Sequence, residues 1–311
     1  MTALVAGFVA VVTVSSTAPV LGAPVTDASD PVPAASNPSA SRLSYVLAFT
    51  GDTLIHPAVA TSASRYAEGD GYDFDPMFEA VSLVLEAADL SICHLEVPLD
   101  PTSRDISGFP VFSAPGELAG DLERAGYDGC STASNHSLDR GVSGLFETLD
   151  LLDAAGLGHT GTARNPEERK GTLYDLGALR VGHVSFSYGV QHSSRAGKRN
   201  WVANRIDFAQ IVEDAEGLRD RGANFVVVSL HWGFEYRSVP NSAQQDLANR
   251  LMKRPEIDLI IGHHPHVLQP VAVISGKPVA FSLGNFLSNQ TAPCCPPESE
   301  EGAILLVRVD D

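Results

Sequence analysis

Five stretches of this chain end an apolar run with side chains able to ligate a metal. They are Phe49-Thr50-Gly51-Asp52, Ile92-Cys93-His94-Leu95-Glu96, Ser134-Asn135-His136-Ser137-Leu138-Asp139-Arg140-Gly141, Val228-Ser229-Leu230-His231-Trp232-Gly233 and Ile261-Gly262-His263-His264-Pro265-His266. A carboxylate or imidazole just past a strand points into the crevice at the strand's carboxyl end, where α/β sheets bind ligands. Oxygen donors mixed with imidazoles suit Mn²⁺, Fe or Zn²⁺. A carboxylate shared by two such ions lets them sit about 3.5–4 Å apart. Four of the stretches also have a plain structural explanation. Asp52 after glycine is a common turn residue, and Glu96 before Val97-Pro98 can be a solvated loop residue. Asn135-His136 can cap and pack a strand-to-helix turn. His231 beside Trp232 can be a hydrogen-bonded core histidine. The run from His263 to His266 is the most specific, because three imidazoles in four residues have no packing motive and such tracts point to metal.

The elements that must position these residues alternate along the chain. Short apolar runs predict strands at 44–50, 89–95, 128–133, 180–187, 224–230, 257–262, 278–283 and 303–309. Amphipathic spacing predicts helices at 77–88, 117–125, 143–155, 207–221 and 242–253, with Gly and Asp at the junctions. Such alternation defines a layered α/β domain. The polar, Pro-rich stretch 290–301 is expected to be a loop between the last two strands.

In these residues the chain resembles the CapA family of poly-γ-glutamate capsule biosynthesis proteins, related to the calcineurin-like metallophosphatases. The resemblance spans about residues 43–309. It rests on Thr50-Gly51-Asp52, Leu95-Glu96, Asn135-His136 with Asp139 and Gly141, His231-Trp232-Gly233 with Glu235-Tyr236, Gly262 through Gln269, and Ser282-Leu283-Gly284-Asn285-Phe286. It implies a four-layer αββα sandwich with two mixed β-sheets. It also implies one or two divalent ions, with Asp52 and His266 on the first, Asn135, His231 and His264 on the second, and Glu96 bridging. His136 would be the general acid. His94, Asp139, Glu235 and Asn285 would contact substrate or support the ligands. Leu54 stands where the broader pattern has a histidine, so His56 or water would complete the first ion, and His94 replaces the family's usual Asn. The resemblance further implies an extracytoplasmic hydrolase of a phosphoester or related bond. Its substrate would be an anionic polymer or phosphoester, and its partners membrane-bound capsule synthesis proteins. Two other readings stay open: a non-catalytic surface component of a polymer synthesis or export complex, and a cell-surface phosphoesterase unrelated to capsule.

Composition narrows the rest. The formal net charge of −17 argues against nucleic acid as a partner, since such binding needs a basic footprint. The apolar run Ala3–Val12, closing in small residues by Ala23, is expected to be a signal peptide or signal anchor over 1–23. It would place the protein outside the cytoplasm. The Pro/Ala/Ser composition of 24–42 reads as a disordered linker, and 43–311 as the folded domain. Of the four cysteines, Cys93 and Cys130 are expected to be packed thiols. A bridge between Cys294 and Cys295 is open to a protein outside the cytoplasm.

Overall fold

The computed structural model describes residues 6–15 and 44–310. The expected leader and linker lie outside the described residues except at Ala6–Ser15, which forms strand β1. In chain order there follow β2 (Ser44–Thr53), α1 (Pro57–Tyr66), α2 (Asp75–Glu86), β3 (Leu90–Leu95), the short β4 (Leu99–Asp100) and β5 (Ala114–Pro115), α3 (Leu118–Arg124), β6 (Gly129–Ser131), α4 (Gly141–Ala154), β7 (Gly158–Thr160), β8 (Thr172–Asp175) and β9 (Arg180–Ser187). The second half adds α5 (Phe208–Asp220), β10 (Phe225–His231), α6 (Ser242–Leu251), β11 (Leu259–His263), β12 (Leu268–Ile274), β13 (Lys277–Leu283), β14 (Asn285–Leu287) and β15 (Glu301–Asp310).

Two sheets result. One runs β1-β15-β2-β3-β6-β7, with β14 also on β2; the other runs β12-β13-β11-β10-β9-β8. Both are mixed. The pairs β2–β3, β3–β6 and β9–β10–β11 are parallel, whereas β15–β2, β12–β13 and β8–β9 are antiparallel.

The layering follows from strand periodicity. Successive side chains alternate faces, so a strand buried on both sides reads as a continuous apolar run. In β2 and β3, Leu47, Phe49, Leu90 and Ile92 face the other sheet and meet Phe225, Val227, Leu259 and Ile261. Their alternates Ala48, Cys93 and Leu95 pack outward under α2, α3 and α4, against Phe78, Leu122 and Leu149. On the other side Val226, Val228, Leu230 and Ile260 pack under α5 and α6, against Ile211, Leu218 and Leu251. These three cores make four layers, helix–sheet–sheet–helix, as expected from the sequence. Local signals agree with the packing: Asp207 caps α5, and Asn241 with Gln244 forms a capping box on α6.

The short strands β4, β5, β7, β8 and β14 lie outside the expected spans, and two longer elements lacked a clear sequence signal. Helix α1 buries only Val59, Ala60 and Ala63, too small an apolar stripe to stand out among Ala, Ser and Thr. Strand β12 contains Pro270 and lies on a sheet edge, the position in a sheet that tolerates proline.

The cysteine expectation needs correcting. Cys93 and Cys130 are register partners on the neighbouring strands β3 and β6, and they form a disulfide with Cα atoms 4.4 Å apart. Which strands become neighbours is a property of topology, so the pairing was not visible in the sequence. Cys294 and Cys295 are also bridged. The first bridge closes a loop of 37 residues, for which chain-entropy reasoning gives about 3–4 kcal/mol of stabilisation. Cys93→Ala/Cys130→Ala should therefore lower unfolding stability by about 2–4 kcal/mol. Urea denaturation of oxidised wild type and the double variant checks this.

Candidate metal centre

The parallel strands of both sheets end along one edge. There Asp52 is the last residue but one of β2, Glu96 follows β3, Asn135 lies in the loop after β6, His231 closes β10, and His264 and His266 follow β11. All six are buried. Backbone geometry makes this possible at two points. A Cβ on Gly51 would lie 2.2 Å from the Gly284 oxygen, so only glycine allows the Asp52 N–H to donate to that carbonyl at 2.8 Å. His264 and His266 both have positive φ, 93° and 56°. This backbone is unfavourable for non-glycine residues and concentrates at functional sites. Here it turns two imidazoles on either side of Pro265 into one crevice.

Glu96 is at the middle. One carboxylate oxygen lies 3.8 Å from His231 Nε2 and 3.7 Å from His266 Nε2. On one side, His266 Nδ1 is 3.1 Å and His263 Nδ1 3.0 Å from the Asp52 carboxylate, which also accepts from the His264 N–H. On the other, His231 Nε2 meets Asn135 Oδ1 at 2.9 Å, and His231 Nδ1 meets His94 Nε2 at 3.0 Å. His94 is itself held by Ser131 Oγ and stacks on His263, ring centroids 4.0 Å apart. In this crevice two sets of donor atoms are close enough to hold an ion: Asp52, His94, Glu96 and His231; and Glu96, His264 and His266. His94 thus stands among the donors. His264 and His266 fall together in the second set, and His266 also reaches Asp52.

The electrostatics fit a divalent cation. Both oxygens of Glu96 and Nδ1 of His264 are buried without a hydrogen-bond partner, and an unpartnered buried polar atom costs about 1–3 kcal/mol. Burial holds His94 and His231 well below the usual histidine range and brings His264 to about 3. These rings are neutral and offer lone pairs. Burial raises Glu96 to about 7. Asp52 stays well below the carboxylate range despite burial, because His263 and His266 hydrogen-bond to it. His266 goes the other way. Burial opposes its charge, but the Glu96 carboxylate and the Asp52 hydrogen bond raise it to about 9.

His136 lies beside the donors. Its Nδ1 is 2.7 Å from Asp139 Oδ2, which also accepts from the Phe112 N–H. Phe112 packs edge-on to the His136 ring at 4.7 Å. Nδ1 therefore faces the Asp139 carboxylate, and among the described residues Nε2 has no hydrogen-bond partner. Asn285 Oδ1 meets His266 Nδ1 at 3.0 Å, whereas Glu235 is exposed on the loop after β10. His56 is not among the donors. Its Nδ1 lies 3.0 Å from the Leu54 carbonyl, and Leu54 is buried in the core.

Three residues escaped the sequence analysis as site members. His263 had a signal, as the first imidazole of its run. Tyr188 directly follows β9 and packs at a tilt against His264, ring centroids 4.6 Å apart, so the strand-end rule would have found it. His192 had none. Its Nε2 stands 4.0 Å from Asp139 Oδ1, and both atoms are buried without hydrogen bonds.

This is a mixed carboxylate–imidazole centre at the meeting edge of two sheets. A family model described as bacterial capsule synthesis protein PGA_cap matches residues 46–290, and the chain belongs to that family. It is 33% identical over 169 residues to the PGA biosynthesis protein CapA of Bacillus subtilis (strain 168), covering 51% of this chain and 42% of that protein. It is 28% identical over 252 residues to the capsule biosynthesis protein CapA of Bacillus anthracis, covering 78% and 60%. The aligned part is thus about half the length of these relatives. Among solved structures, the calcineurin-like phosphoesterase YfkN of Bacillus subtilis aligns with a TM-score of 0.49 at 15% identity, over 85% of this chain and 81% of that one.

A protonated His266 must lose its proton to bind an ion, so binding releases protons. Between pH 7 and 9 about one proton should leave per protein as His266, raised to about 9, is deprotonated. Below pH 7 a second should leave from Glu96, raised to about 7. Affinity for Mn²⁺ or Zn²⁺ should accordingly rise with pH and level off above about pH 9. Calorimetric titration in buffers of different ionisation enthalpy measures this directly; proton-free binding at pH 8 would contradict the site.

Proposed function

We propose that the protein is an extracytoplasmic, metal-dependent hydrolase of a phosphoester or related bond, acting in the synthesis, export or anchoring of a poly-γ-glutamate capsule polymer beside membrane-bound synthesis proteins. The observation that carries the proposal is the buried Glu96 carboxylate with no protein partner, among neutral imidazoles and next to a His136–Asp139 pair. Family membership and the names of the two Bacillus relatives support the link to capsule polymer. The Cys93–Cys130 bridge supports a location outside the cytoplasm, where disulfides persist. Among the described residues no helix is long and apolar enough to cross a membrane.

Asp52, Glu96, Asn135, His231, His264 and His266, with His94 close by, would hold one or two ions. The bound ion supplies Lewis acidity at the electrophilic phosphorus or carbon. The chain's own residues do the remaining work. Asp139 accepts from His136 Nδ1 and fixes the ring so that Nε2 faces the reacting group. An Nε2 proton passes to the leaving oxygen or nitrogen as its bond breaks, and the attacking water makes good that proton. The Phe112 ring against His136 limits its rotation.

Substitutions at the two kinds of histidine should differ in kind. His264→Ala removes a ligand, so metal content and activity should fall together. His136→Ala leaves the donor set intact; metal content should stay near wild type while turnover drops about 10²–10⁴-fold. The loss should shrink for substrates with good leaving groups, which need no proton. Metal analysis beside hydrolysis of a generic phosphodiester and of γ-glutamyl amides measures both effects. A His136→Ala protein stripped of metal would make His136 a ligand. Folded, metal-loaded wild type without any hydrolysis would favour a non-catalytic surface component.

A further inference from the structure

Asp139 keeps one polar atom that the fold leaves unsatisfied. Its N–H donates to the His136 carbonyl at 3.0 Å, and its own carbonyl accepts from the Arg195 side chain. Oδ2 accepts from the Phe112 N–H and faces His136 Nδ1, both at 2.7 Å. Oδ1 is buried without a hydrogen-bond partner. A carboxylate oxygen only accepts, so the missing partner is a donor. Burial keeps water away from this oxygen, and leaving it bare is costly.

A donor of the right kind faces it. His192 Nε2 lies 4.0 Å from Oδ1 and is likewise buried without a partner. An ordinary hydrogen bond is about 3.0 Å long, so an approach of about 1 Å joins the two atoms. His192 belongs to the segment between β9 and α5, and its φ is 54°. That left-handed backbone is uncommon outside glycine and clusters at functional sites. The segment is tied to the site on both sides of His192. The Gln191 N–H donates to the Asn135 carbonyl at 2.7 Å, and the Arg195 N–H closes a turn onto the His192 carbonyl at 2.8 Å. On its outer side Ser193 and Ser194 are exposed, so a shift toward Asp139 breaks no packing there.

We propose that His192 is a positioning residue for the general acid, its Nε2–H closing onto Asp139 Oδ1 so that His192, Asp139 and His136 form one hydrogen-bonded chain that ends at the leaving group. The proposal rests on the hydrolase reading and adds a member to its acid. As the carboxylate stands, only Oδ2 resists rotation about the Cβ–Cγ bond. A donor on Oδ1 fixes the second end, and with it the plane in which Asp139 holds the His136 ring. Hydrogen bonds in such a chain also polarise one another. The proton that reaches the leaving atom is still the one on His136 Nε2; His192 transfers none. The position of the segment after β9 is thereby coupled to the aim of the acid.

The test uses two variants of the full chain. Asparagine tolerates the left-handed backbone, but its amide nitrogen stands where Nδ1 does and falls short of Asp139. Glutamine reaches about as far as Nε2. On a phosphodiester with a poor leaving group, His192→Asn should lower kcat roughly tenfold, the effect of one hydrogen bond to a charged group, with KM and metal content unchanged. His192→Gln should regain most of the loss. In a His136→Ala background His192→Asn should cost nothing further, because the two residues act through one path. Additive losses, or a wild-type kcat in His192→Asn, would overturn the proposal. A second readout needs no turnover. In metal-free protein the proton between His136 and Asp139 gives a downfield NMR signal, which should shift in His192→Asn and return in His192→Gln; an unmoved signal would also overturn it. A responsive signal in a protein that hydrolyses nothing would sink the hydrolase reading and leave the three-residue chain standing. Hydrolysis by wild type and His192→Asn at equal rates would do the reverse.

Discussion

The site depends on one unfavourable act: burying the Glu96 carboxylate with neither oxygen hydrogen-bonded. An isolated buried charge is costly enough that a group takes up a proton or finds a counter-charge. Glu96 has neutral imidazoles from His231 and His264 around it and one readily charged ring, His266. Neither sheet could settle this alone. The first brings Asp52, Glu96 and His94; the second brings His231, His263, His264 and His266. The sandwich core of Leu47, Phe49, Ile92, Val227 and Ile261 clamps the two edges together, and a cation between them would satisfy donors from both.

The same constraint explains the local strain and close contacts. The glycines at 51 and 262 let strands approach where a Cβ would strike a carbonyl oxygen, which brings Asp52 and His263 within hydrogen-bonding distance. Positive φ at His264 and His266 is sustained by packing and by the His264 N–H bond to Asp52. The segment after β9 then covers the far side. Tyr188 packs at a tilt against His264, the Gln191 N–H donates to the Asn135 carbonyl, and Arg195 donates to the Asp139 carbonyl. A net charge of −17 does not bar an anionic substrate from such a place, since salt screens distant charge beyond about 8–10 Å.

Much of this was legible in the sequence because strands buried on both faces announce themselves as apolar runs, and ligands at strand ends follow immediately. The strands carrying Asp52, Glu96, His231 and His264 could be placed to within a few residues for that reason. What was hidden was hidden by topology or by weak local signal. The Cys93–Cys130 bridge needs β3 and β6 to be neighbours. Helix α1 has too narrow an apolar stripe, and β12 carries a proline on an edge. His192 approaches Asp139 from 53 positions away in a loop, and no spacing rule reaches that far.

Anomalous X-ray diffraction from Mn²⁺-loaded crystals tests the central claim most directly, read together with metal analysis of Glu96→Gln. The account predicts anomalous density against the Glu96 carboxylate, with a second peak about 3.5–4 Å away if two ions bind, and loss of metal from folded Glu96→Gln protein. Density elsewhere on the molecule, or a Glu96→Gln variant that keeps its metal, would contradict it.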